Sequence, residues 1–414
     1  MAKSSKKRPR GRKRLGVWLI GARGGLGTTL ITGSLAIAKK LRKPVGLLTE
    51  TPFFDGFPLT RVEDLVFGGH DIRETTTREA ALAVGEDSGS IPPELVQVLN
   101  REFRKVDAEI RPGILVNSGK AIEGLADPDY LDEGRSLAEM VEGLRTDLRE
   151  FRDAHGLERV VVVNLGSTEP PLRIVGAHKK LGRFEEVIAA NRQRLVRPSL
   201  LYAYAAAKEG CPFIHFTPSE ATLAPALVEA FDESETPFMG RDGKTGETLV
   251  KSALAPMFKY RNLQVLSWQG YNLLGDRDGK VLSQAENLES KIQTKDSLLQ
   301  NILGYPLHTH VGIDYVPSLG DQKTAWDFIH FEGFLGHRMS MQFTWQGCDA
   351  VLAAPLVLDM VRLMDHVAST GATEPQTWLA CFFKRPCGME EDDLHRQWHL
   401  LEEQAARMRS ELPG

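Results

Sequence analysis

The chain is poor in cysteine, with 4 in 414 residues. They are Cys211, Cys348, Cys381 and Cys387. None forms a CxxC pair, so their spacing supports neither a zinc site nor a disulfide framework. Buried or idle thiols of this kind belong to a reducing compartment. No apolar run reaches the roughly 18–20 residues that span a bilayer. The N-terminal stretch "MAKSSKKRPRGRKR" has no apolar core of the kind a secretory signal needs. A cytoplasmic protein without a membrane segment is the expectation. Internal repeats are absent, as is low complexity beyond residue 14. There is no GKS or GKT to make a Walker A loop, and no HExxH glutamate to make a metal pair of His395 and His399. His308 and His310 form HxH with no evident third ligand, which an alternating strand explains.

Hydrophobic residues make up 42% and charged residues 26% of the chain, ordinary for a soluble globular protein. The length suggests two or three domains. Residues 1–14 hold eight Lys or Arg and no acid. Subtracting them from the chain's net charge of −4 leaves −12 on residues 15–414. That acidic body is a poor general nucleic-acid surface. The basic tail reads as a disordered, solubilising arm, or as a weak contact for nucleic acid or acidic lipid.

The ordered chain begins with "LGVWLI", a strand-forming apolar run. A glycine turn follows, then "TTLITGSLAIAKKL" with helical period, and then "KPVGLLTE" as a second strand. This order opens a nucleotide-binding βαβ unit. Further strands fit 113–119, 159–168 and 211–219, with helical stretches between them. The alternation argues for a parallel, doubly wound sheet. Near residue 240 the pattern changes. A polar glycine loop runs into a helix, 309–321 and 336–347 alternate as half-buried antiparallel strands do, 350–367 is a strongly apolar helix, and the chain closes on an amphipathic helix.

In "GARGGLG" the spacing is GxxGxxG, with Arg23 and Leu26 where the strict fingerprint has glycine. Its position between strand and helix still suits a pyrophosphate: backbone N–H groups approach the anion at the positive end of a helix. Thr28 and Thr29 add hydroxyls. Glu50 ends the expected second strand, either as a ribose-binding acid or as an ordinary loop carboxylate. Lys291 and Lys295 stand four apart in "SKIQTK", on one helix face, where like charges repel. They form either a solvated face or a site for a shared anion or a proton transfer. Other charges sit in apolar or glycine-rich settings, where they are costly unless paired or used. These are Asp242, Asp276, Asp278, Asp321, Lys323, Asp349 and Lys384.

Five stretches in order carry a family resemblance. They are "DGKTGETLVKSAL", "YNLLGDRDGKVLS", "SKIQTK", "YVPSLGDQKTAWDF" and "CDAVLAAPLVLDMV". Weaker echoes are "DLVFGGHDI", "NLGSTE" and "FIHFTPSEAT". From about residue 15 to about 390 the sequence resembles the inositol-3-phosphate synthases (myo-inositol-1-phosphate synthases). The resemblance implies an NAD-dependent, redox-neutral conversion of D-glucose 6-phosphate to 1D-myo-inositol 3-phosphate. C5 is oxidised, the proton on C6 is lost, the enol closes on the C1 aldehyde, and the C5 ketone is reduced again. Related NAD chemistry on another sugar phosphate is the alternative.

The resemblance also implies residue roles. Lys291, Lys295, Lys323 and Lys384 would be the active-site lysines, oriented by Asp242, Asp321 and Asp349. Thr245, Gly246, Glu247, Thr248 and Asn272 would take the substrate phosphate. NAD would lie against Gly21, Ala22, Arg23, Gly24, Gly25, Leu26, Gly27, Thr28, Asp71, Ser167, Thr168, Pro218, Asp276 and Asp278, with a divalent or monovalent cation near Asp276 and Asp278. Glu247 replaces a glutamine. It would turn outward, pair with Lys244 or Lys251, or signal a different substrate. The implied architecture is a Rossmann-type α/β domain of residues 15–248 plus 350–414. A catalytic and oligomerising α+β domain of 249–349 is inserted in it, in a homotetramer.

Overall fold

The computed structural model describes residues 13–128, 134–275, 298–320 and 322–410. Lys291, Lys295, Asp276, Asp278 and Asp321 lie outside the described residues.

β1 (Leu15–Ile20) is buried at every position, as a strand covered on both faces must be. Its alternation splits the core in two. Val17 and Leu19 join one apolar cluster, Trp18 and Ile20 the other. Five further strands complete a parallel sheet with it: β2 (Leu65–Asp71), β3 (Ile110–Pro112), β4 (Arg159–Asn164), β5 (Phe213–His215) and β6 (Phe238–Gly240). The order β3-β2-β1-β4-β5-β6 is that of a doubly wound dinucleotide-binding sheet. It places the switch point between β1 and β4.

Among the described residues the main helices, in chain order, are α1 (Gly25–Ala38), α2 (Thr77–Ser88), α3 (Pro93–Asp107), α4 (Lys120–Glu123), α5 (Leu137–His155), α6 (Leu181–Ala189), α7 (Pro198–Lys208), α8 (Pro225–Glu233), α9 (Gly246–Tyr260), α10 (Asp349–Thr370) and α11 (Leu394–Ser410). α10 buries Val357, Met360, Val361 and Met364 in the same cluster as Ile31 of α1 and Phe103 of α3. α5, α7 and α8 cover the opposite face through Phe151, Leu200 and Phe231. Among the described residues, no helix is long and apolar enough to cross a membrane.

A second sheet has the order β10-β9-β7-β8, built from β7 (Gln264–Leu274), β8 (His308–Tyr315), β9 (Lys323–Glu332) and β10 (Arg338–Gly347). α9 packs its Ala255 and Phe258 against Trp268, Ile329 and Phe331 on one face. The other face leaves Tyr271, Leu273 and Trp326 exposed.

Three expectations are corrected. "KPVGLLTE" is not the second strand: Leu48–Glu50 is a 3-10 turn, and the strand beside β1 is β2. The Asp359 carboxylate of α10 accepts from Leu48 N at 2.8 Å and Thr49 N at 3.0 Å. It thereby takes the donors a strand would give to a neighbour. Glu50 pairs with Arg362 at 2.7 Å, so the acid closing β2 is Asp71. The run 113–119 follows β3 rather than forming it, since Asn117 and Gly119 have φ of 54° and 91°. β8 runs parallel to β7, not antiparallel. Parallel pairing needs a long crossover, and the chain between Leu274 and His308 supplies its length.

Candidate active site

Gly21 turns out of β1 at φ +84°, and its N–H donates to the carbonyl of His70 at 2.9 Å. A Cβ on Gly27 would lie 2.6 Å from the carbonyl oxygens of Gly21 and Ala22. Only glycine fits this close contact of helix with turn. Arg23 is compatible with the turn because its side chain leaves it. The guanidinium donates to Arg73 O at 2.6 Å and approaches Asp107 at 3.5 Å. Asp71 organises the same turn: its carboxylate accepts from the N–H of Arg23 at 2.6 Å, of Ile72 at 2.9 Å and of Arg73 at 3.1 Å.

Gly24 and Gly25 open α1, Leu26 packs partly into the core, and Thr28 is fully buried. The Thr28 hydroxyl has no hydrogen-bond partner among the described residues. A buried hydroxyl at a helix N-terminus, beside a cradle that a Cβ would fill, fits the diphosphate of NAD. Gly21 to Thr28 and Asp71 would hold the adenosine-diphosphate half. Ser167 and Thr168 follow β4, and Pro218 follows β5. Thr168 and Pro218 line a cavity of about 940 Å³ with Glu169, Asp242, Thr248 and Lys384. Burial pushes the Glu169 carboxyl up to about 7, against its hydrogen bonds to the hydroxyl and N–H of Ser199.

Thr248 and Lys384 also line an adjoining recess of about 50 Å³, with Thr245, Glu247, Asn272, Lys323 and Asp349. Residues from seven parts of the chain meet here: the β6–α9 loop, the first turn of α9, β7, β8, the first residue of β9, the first residue of α10, and Lys384. Lys384 Nζ donates to Asp242 at 2.8 Å, and Lys323 Nζ to Asp349 at 3.1 Å. Burial alone would lower the Lys384 ammonium. Asp242 first, then Asp349 and Glu247, overcome that and leave it raised. Gly246, at φ +58°, lies under the second pair: a Cβ there would sit 3.1 Å from Lys323 Nζ and 3.2 Å from Asp349. Asp242 is fixed by backbone pairing. Its carbonyl accepts from Lys384 N at 2.6 Å, while Lys244 N donates to Phe382 O at 2.8 Å. The Lys244 ammonium donates to Gln397 of α11, and burial pushes it down to about 8.

Glu247, 1% exposed, has its charge met from within the fold. Lys251, one turn along α9, approaches it at 2.5 Å, and Asn272 Nδ2 donates to it at 2.6 Å. Lys251 also lies 3.9 Å from Asp327, which accepts from Trp268 Nε1 at 2.7 Å. Gly270 makes room, since a Cβ there would be 2.3 Å from Glu247 Oε1. From sequence alone Lys251 is only one of two candidate partners for Glu247, and Asp327 and Trp268 do not enter. The signals were present: Lys251 is four residues after Glu247, and Asp327 falls on the inward side of an Ala325, Ile329, Phe331 alternation.

Comparison with known proteins gives consistent results. The profile of the myo-inositol-1-phosphate synthase family matches residues 15–409. Inositol-3-phosphate synthase 1 of Bacteroides thetaiotaomicron is 34% identical, over 95% of this chain and 95% of the relative. Inositol-3-phosphate synthase 1 of Rattus norvegicus is 30% identical, over 85% of this chain and 68% of the relative. Among solved structures, inositol-3-phosphate synthase of Caenorhabditis elegans superposes with a TM-score of 0.84 at 24% identity, covering 97% of this chain and 90% of that one. That likeness is one of fold.

Proposed function

The chain belongs to the myo-inositol-1-phosphate synthase family, and from that premise we propose that it converts D-glucose 6-phosphate to 1D-myo-inositol 3-phosphate with NAD and no net redox change. The observation that carries the reading is the recess where Asp242–Lys384 and Lys323–Asp349 meet the N-terminus of α9, beside the dinucleotide crevice. When bound, NAD supplies the acceptor for hydride from C5 and its return.

The chain's own residues supply charge and position. The N–H groups of Gly246, Glu247 and Thr248 open α9, where an anion is favoured, and they receive the phosphate. Lys323 and Lys384, each held by a carboxylate, stand as fixed cations for the oxyanions that develop as C6 deprotonates and the ring closes. Lys384, with its raised affinity for a proton, acts as a charge stabiliser rather than a base. Lys291, Lys295 and Asp321 complete the set by resemblance, with proton transfer at O5 falling to the lysine pair. Asn272 acts through Glu247. The same reading includes a divalent or monovalent cation at Asp276 and Asp278, and a cytoplasmic setting, in keeping with four free thiols.

Glu247 does not redirect the reading to another sugar, because Lys251 meets its charge. Incubation with glucose 6-phosphate and catalytic NAD is expected to give inositol phosphate by phosphorus NMR; steady accumulation of NADH would overturn the proposal.

The exposed face of the second sheet supports the homotetramer that the resemblance implies. Tyr271 stacks on Trp326 at 5.8 Å, and Phe328 continues the row at 6.4 Å. An aromatic surface of this kind marks an interface. Trp326→Glu is expected to shift the mass measured by light scattering from tetramer toward smaller species. An unchanged tetramer would place the interface elsewhere.

A further inference from the structure

Resting on that reading, we infer that Asn164 and His215 are positioning residues that set the nicotinamide half of the crevice by tying the loop after β4 to the loop after β5. Asn164 ends β4 and His215 ends β5, at 4% and 0% exposure. The N–H of Gly166 donates to Asn164 Oδ1 at 3.1 Å, Asn164 Nδ2 meets His215 Nδ1 at 3.2 Å, and His215 Nε2 meets the carbonyl oxygen of Ser219 at 2.8 Å. The partners fix the protons. A carbonyl only accepts, so Nε2 carries the hydrogen and Nδ1 accepts from the Asn164 amide. That leaves Asn164 Oδ1 for Gly166. A second link closes the ring, as the N–H of Glu169 donates to Ser219 Oγ at 3.1 Å.

The imidazole has little freedom to tilt. It stacks on Phe213 with centroids 6.3 Å apart, and a Cβ on Gly240 would lie 3.0 Å from its own Cβ. Burial also pushes it down to about 4, so it stays neutral and in one tautomer at working pH.

The tied loops carry Ser167, Thr168 and Pro218. In a doubly wound sheet the β1–β3 half takes the adenosine mononucleotide, with its acid after β2, and the β4–β6 half takes the other. The tie therefore governs the nicotinamide end and leaves the glycine turn untouched. Thr217, inside the second loop, has a buried hydroxyl with no hydrogen-bond partner among the described residues, as a surface awaiting a polar ligand would.

Three variants separate the bonds. His215→Phe keeps a ring and removes both. His215→Asn keeps an acceptor near Nδ1, and His215→Gln a donor near Nε2. Dissociation constants for NAD, and for ADP as a probe of the adenosine half, are measured by calorimetry without sugar. The kinetic isotope effect on kcat is measured with C5-deuterated glucose 6-phosphate. His215→Phe is expected to weaken NAD by about tenfold or more and ADP by less than about twofold, with a larger isotope effect as hydride transfer loses alignment. The Asn and Gln variants are expected to fall between. NAD and ADP weakening in parallel, or NAD binding unchanged, would overturn the tie, and the Asn and Gln variants decide on the same criteria if the Phe variant does not fold. Turnover by the unaltered enzyme is recorded alongside, so a failed synthase reading shows there and a failed tie shows in the NAD-to-ADP ratio.

Discussion

Lys384→Met is expected to lower kcat by about a hundredfold to a thousandfold, the usual loss when one preorganised charge is removed from a developing oxyanion. The Kd for ADP should change by less than about twofold, because the glycine turn and Asp71 that take the adenosine half lie on the other side of the crevice. The substitution also leaves Asp242 without the ammonium that sits 2.8 Å away, so some loss of stability accompanies the loss of rate. Asp242→Asn in the same chain separates the two effects. The double variant should regain the melting temperature and none of the activity. If activity returned with stability, Lys384 would be a structural partner of Asp242 and nothing more.

Lys251→Met is expected to destabilise the protein rather than to alter its chemistry. Lys251 and Glu247 are 2% and 1% exposed at 2.5 Å, and Asp327, 0% exposed, is 3.9 Å away. Removing the shared cation from buried carboxylates costs about 3–5 kcal/mol, which lowers the melting temperature by on the order of 10 °C. Glu247→Gln should be mild. An amide oxygen still accepts from Asn272, Lys251 keeps Asp327, and turnover of glucose 6-phosphate persists. A Glu247→Gln enzyme that lost this substrate and gained another would show that the carboxylate selects the sugar. Equal stability of Lys251→Met and the parent would show that the buried pair contributes no net stability.

Much of the fold can be read from local pattern. β1, the glycine turn and α1 follow from an apolar run, a glycine cluster and helical period within about thirty residues. α10 announces itself by its length and apolarity. The sequence misleads where the deciding partner is distant. Asp359 satisfies the backbone at Leu48 and Thr49 across more than 300 residues, turning a strand-like run into a 3-10 turn. β9 was hidden by Asp327, a charge at an inward position that breaks the apolar alternation. At the site, the glycine turn was legible from spacing. The pairing of Lys384 with Asp242, 142 residues apart, was not: the resemblance named both residues, and only the fold joins them. Asn164 and His215 fall in the weaker echoes "NLGSTE" and "FIHFTPSEAT", but nothing in either stretch joins them, because a strand-ending Asn or His is ordinary and their meaning lies in each other.

The proposed reaction moves hydride from C5 of glucose 6-phosphate to NAD and back to the same carbon after the ring closes. Its most direct test is turnover of glucose 6-phosphate deuterated at C5, with unlabelled NAD in excess, followed by NMR and mass analysis of the product. The expected product is inositol phosphate that keeps the deuterium, with none in the free NAD pool. Product lacking the label, or label accumulating in NADH, would contradict it.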